Sequence, residues 1–252
     1  MSKSIIINSE YMPAIEFCRK IARSYLSSQL SSISMISKFT SHYLSIAYAK
    51  NLWVMPRISK SSIEPVKAIE AFQSEMAITH EHSSTPIAAT YGLGPCISLS
   101  GYDPTNKIAF VIHFATDKEV EVCGPKLFSY FFGLQKKPVE APLQVHLHGG
   151  KEGASNSTLV AIYNLLQSVH QSRPPSTYRV ASIGVLYDPS LFYVTKFSRS
   201  IAVDARTGHV SSYDPSKNPK RRALTKENRD HAFSSAKYPD IKIRSTLDAS
   251  AF

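Results

Sequence analysis

Two different periods of apolar residues divide the chain. From Glu10 onward they recur every three or four positions: Ile15, Cys18, Ile21, Ala22, Tyr25 and Leu26 share one helical face, and a second helix is predicted from about Ile33 to Lys50. The serines around Ser27 to Ser34 separate the two, because serine hydroxyls compete for backbone groups and favour helix caps. Pro56 and Pro65 punctuate a polar connection. Val66, Ile69, Phe72 and Met76, again three and four apart, predict a third short helix, with Lys67, Glu70 and Gln73 turned away from its apolar face. Residues 1–85 are therefore read as a helical N-terminal extension whose amphipathic faces pack on the rest of the chain.

From Pro86 the pattern shifts to short apolar runs bounded by turn residues. Ile97–Ser100, Ile108–Phe114, Leu143–Leu147, Val180–Tyr187, Phe192–Thr195 and Ser200–Val203 are strand candidates. Turns are expected at Asp103-Pro104-Thr105-Asn106, Asp188-Pro189 and Ala205-Arg206-Thr207-Gly208. Two helices interleave with these strands. One is predicted from Pro125 to about Gln135, opened by its proline, and the other from Ser155 to about Gln171, where Leu159, Ile162, Leu165, Leu166 and Val169 form the buried stripe. Strands paired locally and then interleaved with helices predict an α+β domain over residues 86–214, a layered mixed or antiparallel sheet with helices packed on it. After Asp214 the chain becomes polar and basic, and 215–252 is read as a flexible tail.

Composition narrows the class. With 252 residues and 43% hydrophobic content, the chain can build a real core. There is no run of about 18 apolar residues, so a membrane span is not expected, and the first residues lack the apolar segment and cleavage site of a secretory signal. A start in a cytoplasm follows as the expectation. Of the net charge of +10, more than half sits between Lys217 and Arg244, where nine Lys/Arg face three Asp/Glu. That segment lacks an amphipathic period and has few stacking aromatics, so a solvated tail is preferred to a nucleic-acid or membrane-surface role. Cys18, Cys96 and Cys123 are odd in number and without Cys-x-x-Cys spacing, which argues for free thiols and against a disulfide framework or structural zinc.

The stretch from Thr90 to Phe114 carries the candidate chemistry. Gly92 and Gly94 permit a sharp bend before Cys96, and His113 lies 17 positions later, on the far side of a hairpin turn that folds its strand back toward the cysteine. A thiol nucleophile requires a base within reach and a third group to hold that base, and Thr90 is near enough in sequence to be the third. The competing reading is that Cys96 is a small core residue. His146 and His148 share one face of a strand and with His113 offer three imidazoles to a zinc ion. No carboxylate or thiol at ligand spacing accompanies them, so they are read as polar strand residues, and no metal or cofactor is expected.

The segment Thr90-x-Gly92-Leu93-Gly94-Pro95-Cys96, followed by Tyr102-Asp103-Pro104 and His113, resembles CheD, the chemoreceptor glutamine deamidase family. His148-Gly149-Gly150 is similar to the family's Phe-Gly-Gly, and a helix carrying Asn156 follows. Ser198 to Val210 looks like its terminal strand, Thr-Gly turn and strand, so the resemblance spans about Ala88 to Val210. It implies a CheD-like fold and hydrolysis of a glutamine side chain on a partner protein. Cys96 would be nucleophile, His113 base and Thr90 its orienting group, with Gly94, Gly149 and Gly150 around the substrate or the oxyanion. It also implies two settings, a cytoplasmic enzyme or an effector secreted into a host cell, and two outcomes, deamidation or, with an amine acceptor, transglutamination. Where the family usually has serine, this chain has Pro95, which supplies neither hydroxyl nor N–H. The alternative is accordingly a catalytically impaired interaction module on the same scaffold.

Overall fold

The computed structural model describes residues 67–137, 141–151, 154–172, 178–187, 200–211, 213–223 and 225–247. The helices expected at 15–26 and 33–50, Cys18, and the strand expected at Phe192–Thr195 lie outside these residues.

Among the described residues the strands form two sheets. The smaller has the order β1 (Ala68–Ala71), β3 (Ile87–Tyr91), β8 (Ser200–Asp204) and β9 (Val210–Ser211). The larger has the order β10 (Lys242–Ser245), β2 (Glu75–His80), β5 (Ile108–Phe114), β4 (Ile97–Asp103), β6 (Leu143–Lys151) and β7 (Tyr178–Tyr187). The helices are α1 (Asp117–Gly133), α2 (Asn156–Ser172) and α3 (Lys226–Lys237). The larger sheet is antiparallel through β2, β5, β4 and β6 and parallel at both edges, where β10 joins β2 and β7 joins β6. The α+β class is therefore as the apolar pattern predicts.

The two faces of the larger sheet are built differently. One packs Met76, Ile78, Leu99, Phe110, Ile112 and Phe114 against Leu127, Phe128 and Phe131 of α1 and the full predicted stripe Leu159, Ile162, Leu165, Leu166 and Val169 of α2. Burying each such side chain stabilises the fold by about 1.5–3 kcal/mol. The other face meets the smaller sheet through Ala71, Ala77, Ala88, Ala109, Val111, Ile201 and Val203. Side chains this short let the two sheets approach closely, so a hydroxyl on one sheet reaches a ring on the other.

Several expectations are corrected. Val66–Met76 is not a helix: Ala68–Ala71 and Glu75–His80 are strands of different sheets, and Ser74 between them takes the left-handed conformation at φ 62°. A helix running through Ser74 is excluded by that angle. Glu70, expected to face solvent, is 2% exposed and accepts hydrogen bonds from the Tyr213 hydroxyl and the Asn218 amide. The 1–85 extension therefore does not reach 85, because β1 and β2 belong to the sheets. The helix placed at Pro125 begins at Asp117, where the Thr116 hydroxyl accepts from the Glu119 N–H as an N-cap. Pro125 lies within it on the exposed face, where a missing backbone N–H is least costly.

The described part of the tail, 215–223 and 225–247, is also ordered. Arg222 pairs with buried Glu75 at 2.7 Å and lies over the Phe72 ring, Ile241 enters the core, Thr225 and Asn228 cap α3 reciprocally, and β10 extends the larger sheet. What its polar composition concealed is that its order comes from buried hydrogen bonds to β1 and β2 and from strand pairing. Among the described residues no helix is long and apolar enough to cross a membrane.

Candidate active site

The chain crosses from the smaller sheet to the larger between β3 and β4, and the crossing is the loop Gly92–Cys96. Gly92 adopts φ 74°, and the Gly94 N–H donates to the Gly92 carbonyl at 2.8 Å, which turns the chain within three residues. Cys96 then enters the layer between the sheets beside Leu93, 7% exposed. The loop is held at two carbonyls. The Gly150 N–H donates to the Cys96 carbonyl at 2.8 Å, and the Ser155 hydroxyl donates to the Pro95 carbonyl at 2.6 Å. Gly149, at φ 94°, passes so close that a Cβ there would lie 2.6 Å from the Cys96 carbonyl oxygen. The His148-Gly149-Gly150 run thus serves as a bracket for the cysteine loop.

The predicted hairpin forms as β4 and β5. Asp103 Oδ1 accepts from the Thr105 and Asn106 N–H groups to close its turn, and the register sets His113 directly opposite Ser98. Alternation along both strands turns Cys96, Ser98 and His113 toward the layer between the sheets. Cys96 and His113 are diagonal cross-strand neighbours, a relation that spans roughly 7–8 Å at Cα and that an aromatic ring can bridge.

Thr90 fixes the tautomer of His113. Its hydroxyl donates to the Ala71 carbonyl at 2.7 Å, and its oxygen lies 2.8 Å from His113 Nδ1. A hydroxyl has one hydrogen, so the imidazole must be the donor in the second contact and Nδ1 carries the proton. Nε2 is left with a lone pair, buried and without a hydrogen-bond partner among the described residues. The cross-sheet contact from β3 to β5 thus leaves the nitrogen a general base would use free.

Burial sets the charge state. His113 has a pKa lowered to about 4, and the Cys96 thiol is pushed up to about 11, mainly by desolvation and further by the negative Glu119 carboxylate. At neutral pH both groups are uncharged, so the pair rests as thiol and imidazole. Nucleophilic attack would therefore have to be coupled to transfer of the thiol proton to Nε2.

The structure joins Thr90 to His113 by a direct contact at 2.8 Å and sets Cys96 in the same layer, diagonal to His113 across the β4–β5 pair, without a hydrogen bond between the sulfur and Nε2. Gly94 and Gly150 are not placed as oxyanion donors, because their N–H groups are engaged within the bracket. The Cys96 N–H has no backbone acceptor outside the strand ladders among the described residues. Two neighbours were not anticipated. Glu119 accepts from the Ala115 N–H and the Ser74 hydroxyl, and its buried carboxylate acts on the Cys96 thiol through its charge; only the Thr116-x-x-Glu119 cap pattern could have drawn notice to it. Ser98, with a buried hydroxyl that has no partner among the described residues, lies between His113 and His148 in register, and nothing in the sequence marks it. Cys123 packs in the helix-side core as a free thiol. Among the described residues no group of three or more His, Cys, Asp or Glu side chains is placed to hold a metal ion.

No protein-family model matches the chain, and no curated protein matches it.

Proposed function

We propose that the protein is a thiol-dependent glutamine deamidase of the CheD type acting on a partner protein. The observation that carries this is the Thr90 clamp, which leaves His113 Nε2 as an unprotonated, unpartnered base in the same buried layer as Cys96. Cys96 Sγ attacks the carboxamide carbon of a glutamine side chain as its proton passes to Nε2. The imidazolium returns that proton to the departing nitrogen, and ammonia leaves behind a thioester. Water, deprotonated by the same nitrogen, attacks the thioester carbon, releases a glutamate side chain and restores the thiol. An amine in place of water gives transglutamination. The reading covers an enzyme that stays in its own cytoplasm and one delivered to a host cell, since the chemistry is common to both.

A second reading, an impaired interaction module, draws on the high thiol pKa, which leaves little thiolate at rest, together with Pro95 beside the nucleophile. One experiment separates the two. Cys96→Ala protein captures a partner, the bound glutamine is mapped, and wild-type protein is then incubated with that partner. Conversion of the mapped glutamine to glutamate, seen by mass spectrometry with wild type and absent with Cys96→Ala, is expected of the enzyme. Capture without conversion identifies the module.

A further inference from the structure

We infer that Ser155 is a positioning residue that aims the Cys96 N–H as the oxyanion donor. The inference rests on the reading of Cys96 as a nucleophile toward a carbonyl carbon, and it explains how the site works with proline at position 95.

The positioning acts through the peptide joining Pro95 to Cys96. It is trans, and in a trans peptide the carbonyl and the N–H point in opposite directions. Fixing the Pro95 carbonyl therefore fixes the Cys96 N–H. The Ser155 hydroxyl does so at 2.6 Å from a position immediately before α2, with Ser155 itself fully buried. Ser155 stands on the helix side of the larger sheet: its carbonyl accepts from the N–H of Leu159, a residue of the helix-side core, and its Cβ lies in the same small space beside Gly150 as Ile97. The Cys96 side chain points to the opposite side, into the layer it shares with Leu93, Ala109 and Val111. A carbonyl held toward the helices turns its paired N–H toward the thiol.

The second clamp completes the arrangement. The Gly150 N–H holds the Cys96 carbonyl, so the peptides on both sides of the Cys96 Cα are pinned and the N–H cannot swing by rotation of its neighbour. The Cys96 N–H has no acceptor among the described residues, so this orientation leaves it available to the negative oxygen that attack by Sγ would generate. A proline at 95 removes one potential donor but leaves the carbonyl that Ser155 holds. In this geometry the missing N–H is replaced by better definition of the one that follows.

The test uses two reagents that react with the same sulfur in different ways. 4-Nitrophenyl acetate acylates a thiol through a tetrahedral oxyanion, expelling nitrophenolate. Iodoacetamide alkylates it by displacement of iodide, with no oxyanion. Both rates are measured on the full chain, with the Cys96→Ala rate subtracted to remove the other two thiols. Ser155→Ala is expected to slow acylation about tenfold to a hundredfold, as misplacing an oxyanion donor does, while alkylation stays within about twofold and so reports an intact thiol environment. Ser155→Thr, which retains the hydroxyl, is expected to recover most of the acylation rate.

Equal loss in both reactions, no loss in either, or a wild-type Cys96 that acylates no faster than in the unfolded chain overturns the role given to Ser155. Ser155-dependent acylation in a protein that converts no glutamine on its captured partner upholds the positioning role and removes the deamidase reading instead.

Discussion

The two faces of the larger sheet obey different rules. The helix side is filled by interlocking rings and branched chains, with Phe110 and Phe131 centroids 4.8 Å apart and nearly every position apolar. The inter-sheet side is lined with alanines and interrupted by Thr90, Ser98, Ser100, His113, His146 and His148, all buried. Burying a hydroxyl or an imidazole nitrogen without a partner costs about 1–3 kcal/mol, and Ser98 Oγ and His113 Nε2 have none among the described residues. A fold selected for stability alone would fill such a layer with apolar chains. The contrast teaches that one face supplies the stability and the other holds polar groups that reduce it, which is the pattern expected where chemistry is done.

That contrast can be tested, starting with the change of largest effect. His113→Ala is expected to lower Cys96 acylation by about 10²–10⁴-fold, the usual contribution of a general base, measured with 4-nitrophenyl acetate. Phe110→Ala on the other face is expected to lose about 3–5 kcal/mol of stability in urea unfolding, while the folded fraction retains its thiol chemistry. If Phe110→Ala, still folded, slowed acylation as much as His113→Ala, the division of labour between the faces would be wrong.

Acid should act on the polar face in particular. His113 and His148 have pKa values of about 4 in the folded protein against about 6.5 when unfolded, both lowered by burial. Above pH 6.5 neither state binds these protons and nothing changes. Between 6.5 and about 4 only the unfolded chain takes them up, so stability falls as pH drops, by about 1.4 kcal/mol per pH unit for each histidine. Urea midpoints followed from pH 7 to pH 4.5 check this, and His113→Gln should flatten the dependence by about half.

Smaller effects follow within the site. Thr90→Ala removes the acceptor that fixes the tautomer but leaves the base, so acylation is expected to fall roughly tenfold, well short of the loss in His113→Ala. Glu119→Gln removes the negative charge beside the thiol and is expected to lower the thiol pKa slightly, seen as a shift of the iodoacetamide rate profile to lower pH. A shift upward would mean that the carboxylate supports the thiolate and that its position has been misunderstood.

Features written in short-range patterns were legible before the structure. The α2 stripe and the β4–β5 hairpin depend on residues within one helix or one turn, and both form as the spacing predicts. Thr90, Cys96 and His113 were found for the same reason: two glycines and a turn place them. What misled was coincidence of period. Val66, Ile69, Phe72 and Met76 suit one helical face, yet the left-handed Ser74 separates Ile69, in a strand of the smaller sheet, from Met76, in a strand of the larger. β10 was invisible because it alternates half-buried and exposed positions and joins the sheet edge through its backbone rather than through an apolar face. Ser155 and Glu119 act on the cysteine loop across gaps of chain that no local pattern spans, as the 60 positions between Ser155 and Pro95 illustrate.

Ser74 joins distant parts of the molecule. Its N–H donates to the His113 carbonyl, its hydroxyl to Glu119, its oxygen lies 2.6 Å from the Ser235 hydroxyl, and its carbonyl accepts from the Lys242 N–H at the start of β10. The partners emerge from the ribosome at different times. His113 and Glu119 follow Ser74 within 45 positions, whereas Ser235 comes 161 positions later. At translation rates of roughly 5–20 residues per second, Ser74 and the edge of β2 wait on the order of ten to thirty seconds for α3 and β10. Once His113 has followed, and for the rest of that interval, the nascent chain holds the cysteine, the histidine and their threonine but lacks the strand that covers β2, so a growing polypeptide carries the reactive constellation before its sheet is closed.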